Sequence, residues 1–236
     1  MRLTILLCDR FPGLLPSYIP SYESMFVRLF RGAGISDIEV LATLDGELPD
    51  ISVAERDKSS TIYLITGCNL SAYDAVPWIE RLIEWVRAAA HKGLNLVGIC
   101  FGHQLIAYAL GGSVERAAVG WGTGVRDITL CDGSGDHLRL MYNHHDQVTV
   151  LPPGARLLAT STFCPIEAFT VGNNIITFQG HPEYVPEYNV HLIMDCADDE
   201  PEDVKMSALR SIGNMQHDGP AVAARIVQWF NRRAES

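Results

Sequence analysis

Leu94-Asn95-Leu96-Val97-Gly98-Ile99-Cys100-Phe101-Gly102-His103-Gln104 is the stretch that decides the fold. Its first part, Leu94 to Ile99, is an apolar run of strand length and reads as a buried β-strand. The pattern then turns helical, and the spacing predicts a helix over about His103 to Leu110 closed by Gly111-Gly112. A buried strand that enters a tight turn and then a helix puts its turn residue, Cys100, at the carboxyl edge of a sheet. There the helix amides carry partial positive charge, which favours a thiolate. Gly98 and Gly102 are expected to permit the sharp backbone path and a close approach of substrate.

Upstream, short β-rich runs alternate with helical patterns. Leu3 to Cys8, Ile38 to Ala42 and Thr61 to Thr66 read as strands, the last stopped by Gly67. Between the first two, Tyr22, Phe26, Leu29 and Phe30 recur at helical spacing until Gly32 and Gly34. Pro77 opens a strong amphipathic helix through Ala90, with Trp78, Leu82, Trp85 and Val86 on one face. This alternation implies an α/β fold, parallel strands joined by helices. Downstream, Val114 to Phe178 reads as β-hairpins and a meander, with turns at Asp132-Gly133-Ser134-Gly135 and Gly172-Asn173-Asn174 and a loop at Pro152-Pro153-Gly154. The tail has helical character near Tyr188 to Asp195, an acidic break at Asp198 to Asp203, and a closing helix from about Pro220 to Arg232. Val222, Ile226, Trp229 and Phe230 are expected to dock that helix on the core. With no repeat, low-complexity tract or dividing linker, residues 1–236 read as one domain.

At 236 residues and 47% hydrophobic, the chain can bury a sizeable core. Its net charge of -10 argues against nucleic acid or an anionic membrane as partner, since both need a concentrated basic face. The six cysteines include no Cys-x-x-Cys pair, which speaks against a zinc ribbon. The opening apolar run is short and ends at Asp9, unlike a signal peptide, and no run approaches a membrane span. A cytoplasmic protein with reduced thiols is expected.

Gly180-His181-Pro182-Glu183 supplies what Cys100 lacks. An unassisted thiol, with a pKa of about 8.5, attacks amides poorly. In an extended segment His181 and Glu183 project to the same side, so the carboxylate can orient an imidazole that exchanges protons with sulfur and leaving group. Acyl transfer also needs oxyanion donors. The Phe101 amide follows the nucleophile. Thr66-Gly67-Cys68-Asn69 ends the preceding strand, so the amide of Gly67 or Cys68 is the second candidate if the two strands are neighbours. A lone buried cysteine is usually structural, and so is a lone His-Pro-Glu. Their conjunction points to cysteine-based acyl transfer.

GICFGHQ (98–104) and FQGHPE (178–183) closely resemble the class I, triad-type glutamine amidotransferases. The resemblance extends through TGCN (66–69), GWG (120–122) and NHHDQVTVLPPG (143–154). It implies a three-layer, flavodoxin-like fold, a mainly parallel central sheet with helices on both faces and added β-hairpins. It assigns Cys100 as nucleophile, His181 as general base and acid, and Glu183 as its orienting partner. Gln104 and the backbone at Asn143 and His144 would hold substrate. The implied chemistry is hydrolysis of a γ-carboxamide through a cysteine γ-glutamyl thioester, without a cofactor. The elbow and the Tyr73-Asp74-Ala75-Val76-Pro77-Trp78 helix entry look most like stand-alone, GMP-synthase-amidotransferase-like members, including γ-glutamyl peptidases. The small-molecule substrate is then glutamine or a γ-glutamyl conjugate. The alternative is a subunit, nearly inert alone, that delivers ammonia to a separately encoded synthetase, since the chain is expected to end before such a domain could begin. The chain departs from many glutamine-dependent members by placing Cys68 after Gly67.

Other clusters read more plainly. His144, His145 and Asp146 look metal-like, but adjacent strand histidines face opposite ways and the ligand set is incomplete, so no metal is expected. Trp121 could line the pocket or pack a turn, and His103 stays open. Gln104 could instead satisfy a backbone group. Cys8 and Asp9 end the first strand at the same sheet edge, where a structural role is expected. The acidic run reads as a solvated loop, and Gly120-Trp121-Gly122-Thr123-Gly124 lacks dinucleotide spacing.

Overall fold

Apolar strands that bury both of their faces need a helical layer on each side, and the chain supplies two. The computed structural model describes residues 1–10, 15–195 and 200–234. Its first half runs β1 (Arg2–Leu6), α1 (Tyr22–Gly32), β2 (Asp37–Leu41), α2 (Ile51–Arg56), β3 (Thr61–Ile65), α3 (Pro77–Lys92), β4 (Asn95–Ile99) and α4 (Phe101–Ala109). Further strands follow: β5 (Ser113–Arg116), β6 (Gly122–Leu130), β7 (His137–His144), β8 (Asp146–Val150), β9 (Ala155–Thr160), β10 (Ala168–Val171) and β11 (Ile175–Phe178). The chain closes with α5 (Pro186–Asp195), α6 (Glu202–Asn214) and α7 (Gly219–Ala234).

Nine strands make one sheet in the order β2-β1-β3-β4-β11-β10-β9-β6-β7, and β5 pairs with β8 apart from it. From β2 to β11 every neighbour is parallel. Beyond β11 the pairs are antiparallel. Strand residues alternate between the two layers. Leu3, Ile5, Ile62, Leu64, Val97 and Ile99 pack in a core shared with α1 and α7, whereas Leu6, Tyr63, Ile65 and Leu96 face α3 and α4. This is the mixed α/β, flavodoxin-like arrangement expected from the sequence.

Local signals act as read. Pro77 occupies the start of α3 and Gly93, with φ 71°, ends it. The β6–β7 turn uses Gly133 and Gly135 at φ 88° and 71°, with the Ser134 amide donating to Asp132 Oδ1 at 3.0 Å. Val222, Ile226 and Phe230 of α7 are buried and Trp229 packs beside them. β4 and β3 are neighbours, with Ile65 paired to Gly98.

Two departures have physical causes. The acidic break is not simply a solvated loop: Glu200 is buried, with Thr123 Oγ1 donating to its Oε1 at 2.5 Å. Glu202 and Asp203 open α6, where negative charge suits the helix N-terminus. Cys196, Asp198 and Asp199 lie outside the described residues. The hairpin region is not a simple meander either. β8 leaves to pair with β5, and β9 inserts between β6 and β10. No described helix is long and apolar enough to cross a membrane.

Glu167, ahead of β10, is 1% exposed and accepts from Tyr142 Oη at 2.9 Å and Ser161 Oγ at 2.7 Å. Burial pushes its carboxyl up to about 7 against those hydrogen bonds. A carboxyl whose folded pKa lies above its unfolded value weakens the fold as pH rises from about 4.5 to about 7. Glu167→Gln should therefore gain melting temperature relative to wild type between pH 5 and pH 8, as measured by thermal unfolding at both values.

Candidate active site

Parallel pairing of β4 with β11 sets Ile99 level with Phe178, so Cys100 and Gln179 leave the sheet side by side. The Cys100 amide donates to Phe178 O at 2.9 Å and its carbonyl accepts the Gln104 amide at 3.0 Å, which starts α4. Between strand and helix Cys100 itself takes φ 51° and ψ -103°, the one positive φ at a non-glycine among the described residues. The reversal itself falls on Cys100, and Gly98 and Gly102 permit it by close packing, neither having room for a side chain. A Cβ on Gly98 would lie 2.6 Å from the Gly102 carbonyl, and one on Gly102 would enter the Ile65 carbonyl. They let α4 lie directly on β3 and β4.

His181 is fixed by its own backbone, its amide donating to Met141 O on β7 at 2.8 Å. Its Nδ1 is 2.6 Å from Glu183 Oε1, and the Tyr184 ring stacks on the imidazole with centroids 3.9 Å apart. Side-chain exposure is 2% for His181 and 0% for Glu183. Burial pulls the imidazole pKa down, but the charges of Glu183 and Cys100 outweigh it and lift it to about 10. With Nδ1 held by the carboxylate, Nε2 has no hydrogen-bond partner among the described residues.

These groups floor an open cavity of about 350 Å³. One wall is the loop after β3, with Gly67, Cys68 and Asn69. That loop is stapled to the end of β1: Cys8 N donates to Thr66 Oγ1 at 2.9 Å, and Asn69 N to Asp9 Oδ2 at 2.8 Å. Asp9 thus braces the loop and also lines the cavity, where burial raises its carboxyl to about 6. Phe101 opens α4, so its amide is in the first turn, where no intrahelical acceptor exists. The opposite wall holds Trp121, Asn143, His144, His145 and Asp146, with Trp121 edge-on to His145 at 4.9 Å.

Gln104 lines the cavity, but its Nε2 is engaged by Asp146 O at 2.8 Å and Gln179 Oε1 at 3.1 Å. The same Asp146 carbonyl lies 2.9 Å from His144 Nδ1, so that nitrogen carries the proton of a neutral ring whose pKa burial lowers to about 3. His145 Nδ1 is 2.7 Å from Asp146 Oδ1. Both histidines are thereby committed within their own loop, and no metal-binding group of three or more His, Cys, Asp or Glu occurs among the described residues. His103 faces away from the cavity, beside Thr177 Oγ1 at 2.8 Å, and burial lowers its pKa to about 3. Burial also holds the Cys8, Cys68 and Cys164 thiols well above their usual pKa.

Gln179 and Tyr184 escaped the sequence reading. Gln179 Nε2 donates toward Cys100 Sγ at 3.6 Å. Its signal was present: Gln179, His181 and Glu183 share the two-residue period of an extended segment.

The family described as glutamine amidotransferase class-I matches residues 43–198. Gamma-glutamyl peptidase 3 of Arabidopsis thaliana is 34% identical over 178 residues, 70% of either chain. A glutamine-hydrolysing GMP synthase subunit from Methanoculleus marisnigri is 28% identical over 190 residues, 77% of this chain and 96% of that one. In fold, a glutamine amido transferase from Methylobacillus flagellatus superimposes with a TM-score of 0.69 at 22% identity, covering 99% of this chain and 94% of that chain.

Glu183 is the largest of the groups that raise the His181 pKa against burial, which predicts that Glu183→Gln lowers the imidazole pKa by more than about one unit. Histidine NMR titration of wild type and variant measures the shift, and an unmoved value would remove Glu183 from that role.

Proposed function

The chain belongs to the class I glutamine amidotransferase family, and on that footing we propose that it hydrolyses γ-glutamyl amides at Cys100. The observation that carries this reading is a buried imidazole whose Nδ1 is held by Glu183 while its Nε2 is left for the sulfur. Cys100 gives its thiol proton to His181 Nε2 as Sγ adds to the γ-carbonyl carbon, and the carbonyl electron pair moves onto oxygen. The amides of Phe101 and of Gly67 or Cys68 stabilise that charge. The carbon–nitrogen bond then breaks as His181 gives its proton to the leaving nitrogen, leaving a γ-glutamyl thioester. Water attacks the thioester, His181 takes its proton, and the carbon–sulfur bond breaks to give the γ-carboxylate and restore the thiol. Gln104, Asn143 and His144 hold the glutamyl part.

Glutamine and γ-glutamyl conjugates share this acyl chemistry and differ in the amine that leaves. Similarity to the Arabidopsis γ-glutamyl peptidase supports the conjugate. Similarity to the GMP synthase subunit supports a second reading, in which glutamine is the substrate and ammonia passes to a separate synthetase.

Purified chain should release ammonia from glutamine or free amine from a γ-glutamyl dipeptide, and Cys100→Ala should lower that rate more than about a thousandfold. Equal turnover by the variant would overturn the assignment. Because the imidazole stays protonated up to about pH 10, the alkaline fall of kcat/KM should lie near there. A pH–rate profile measures it.

A further inference from the structure

A tyrosine hydroxyl in the same cavity has no assigned task. Tyr22 opens α1 behind its cap, Ser21, and is 5% exposed. Its ring is clamped, stacked on Tyr188 at 5.9 Å and edge-on to Phe26 at 5.3 Å and Tyr184 at 6.3 Å. Buried tyrosine hydroxyls ordinarily have a partner. Tyr22 Oη has none among the described residues.

Its position is fixed by what surrounds Gly67. A Cβ built there would lie 2.6 Å from Tyr22 Oη, 2.8 Å from His181 Cε1 and 3.6 Å from Cys100 Cβ. The hydroxyl, the imidazole edge and the nucleophile's side chain therefore crowd around Gly67, where no side chain would fit. Burial, with the charges of Glu183 and its neighbours, holds the phenol pKa well above its usual value. The group is a neutral O–H donor at any pH the enzyme meets.

We propose that Tyr22 is a catalytic residue, its O–H donating to the oxyanion that forms when Cys100 adds to the γ-carbonyl. This rests on the hydrolase reading above. As the sulfur–carbon bond forms and the carbonyl pair shifts to oxygen, the Tyr22 hydroxyl becomes the third donor beside the amide of Phe101 and that of Gly67 or Cys68. It transfers no proton. When the intermediate collapses the carbonyl re-forms, the amine leaves with the His181 proton, and the hydroxyl is released.

Tyr22→Phe keeps the clamped ring and removes only the hydroxyl. The expected loss in kcat/KM is about 10- to 100-fold. A γ-glutamyl aldehyde, which adds Cys100 sulfur to give a tetrahedral oxygen, should lose affinity by a matching factor. In a Cys100→Ala background, adding Tyr22→Phe should leave binding of the γ-glutamyl dipeptide unchanged. The melting temperature should not fall, since the hydroxyl has no partner to lose. Unchanged kcat/KM and aldehyde affinity would overturn the proposal, as would equal loss of dipeptide and aldehyde binding or a lowered melting temperature. Absence of turnover by wild type would instead fell the hydrolase reading, and Tyr22's role with it. Wild-type turnover with an indifferent Tyr22→Phe would fell the Tyr22 role alone.

Discussion

The close seating of α4 on β3 and β4 is the constraint on which the rest depends. Neither residue 98 nor residue 102 has room for a methyl group, because the other's backbone or the Ile65 carbonyl already occupies the space. With the helix start pressed onto the strand ends, the chain has one residue in which to reverse, and Cys100 does so at φ 51°. Such a conformation costs a non-glycine residue roughly 1–3 kcal/mol. The burial of α4 offsets it: all its residues except Tyr108 are buried. The reversal lifts the thiol clear of the sheet at the helix N-terminus. The Gly102 amide donates to Thr66 O at 3.2 Å, which fixes the elbow to the loop that carries Gly67 and Cys68.

Electrostatics at the site can be judged from the chain's own comparators. His103, His144 and His181 are all buried. The first two lack a carboxylate partner, and burial lowers each to about 3. His181, with Glu183 against Nδ1, rises to about 10. A charge pair at about 4 Å with an effective dielectric near 20 is worth about 4 kcal/mol, or about three pKa units. The gap from about 3 to about 10 is about twice that, so the carboxylate acts together with the charge of Cys100. The His-x-Glu spacing and the neighbouring nucleophile together set the charge of the imidazole, and Tyr184 stacked on its face limits the ring's rotation.

What the sequence made legible was whatever is local. Strand β4, the turn at Cys100, the β10–β11 turn at Gly172-Asn173-Asn174 and the Pro77 start of α3 follow from patterns within a few residues. Helix α2 escaped because its six residues bury only Ala54, so no apolar period exists to be read. Helix α6 escaped because its buried residues, Ala208 and Ile212, form a narrow stripe behind an acidic run. At the site, the two motifs named Cys100, His181 and Glu183. Sequence spacing does not encode Tyr22, whose relation to Gly67 exists only once α1 packs beside the β3 edge. Asp9 was read as structural, and it is both a brace and a cavity wall.

The antiparallel half of the sheet looks like an appendage in the strand order, yet it orders the site. Met141 on β7 accepts the His181 amide, which sets the height of the imidazole above the elbow. The Asp146 carbonyl meets Gln104 Nε2 and His144 Nδ1 together, so the loop after β7 is registered directly to α4. Asp146 also accepts from Ser71 Oγ at 2.6 Å, tying that loop to the one before α3. Two cavity walls are thus cross-braced by buried hydrogen bonds. The third, made by Tyr22, Tyr184 and Tyr188, is aromatic, its rings packed against one another. A wall of that kind presents apolar faces with a few donors at fixed points, so the directional chemistry on this side of Cys100 is confined to the phenol oxygens, and Tyr22 Oη is the one held against Gly67.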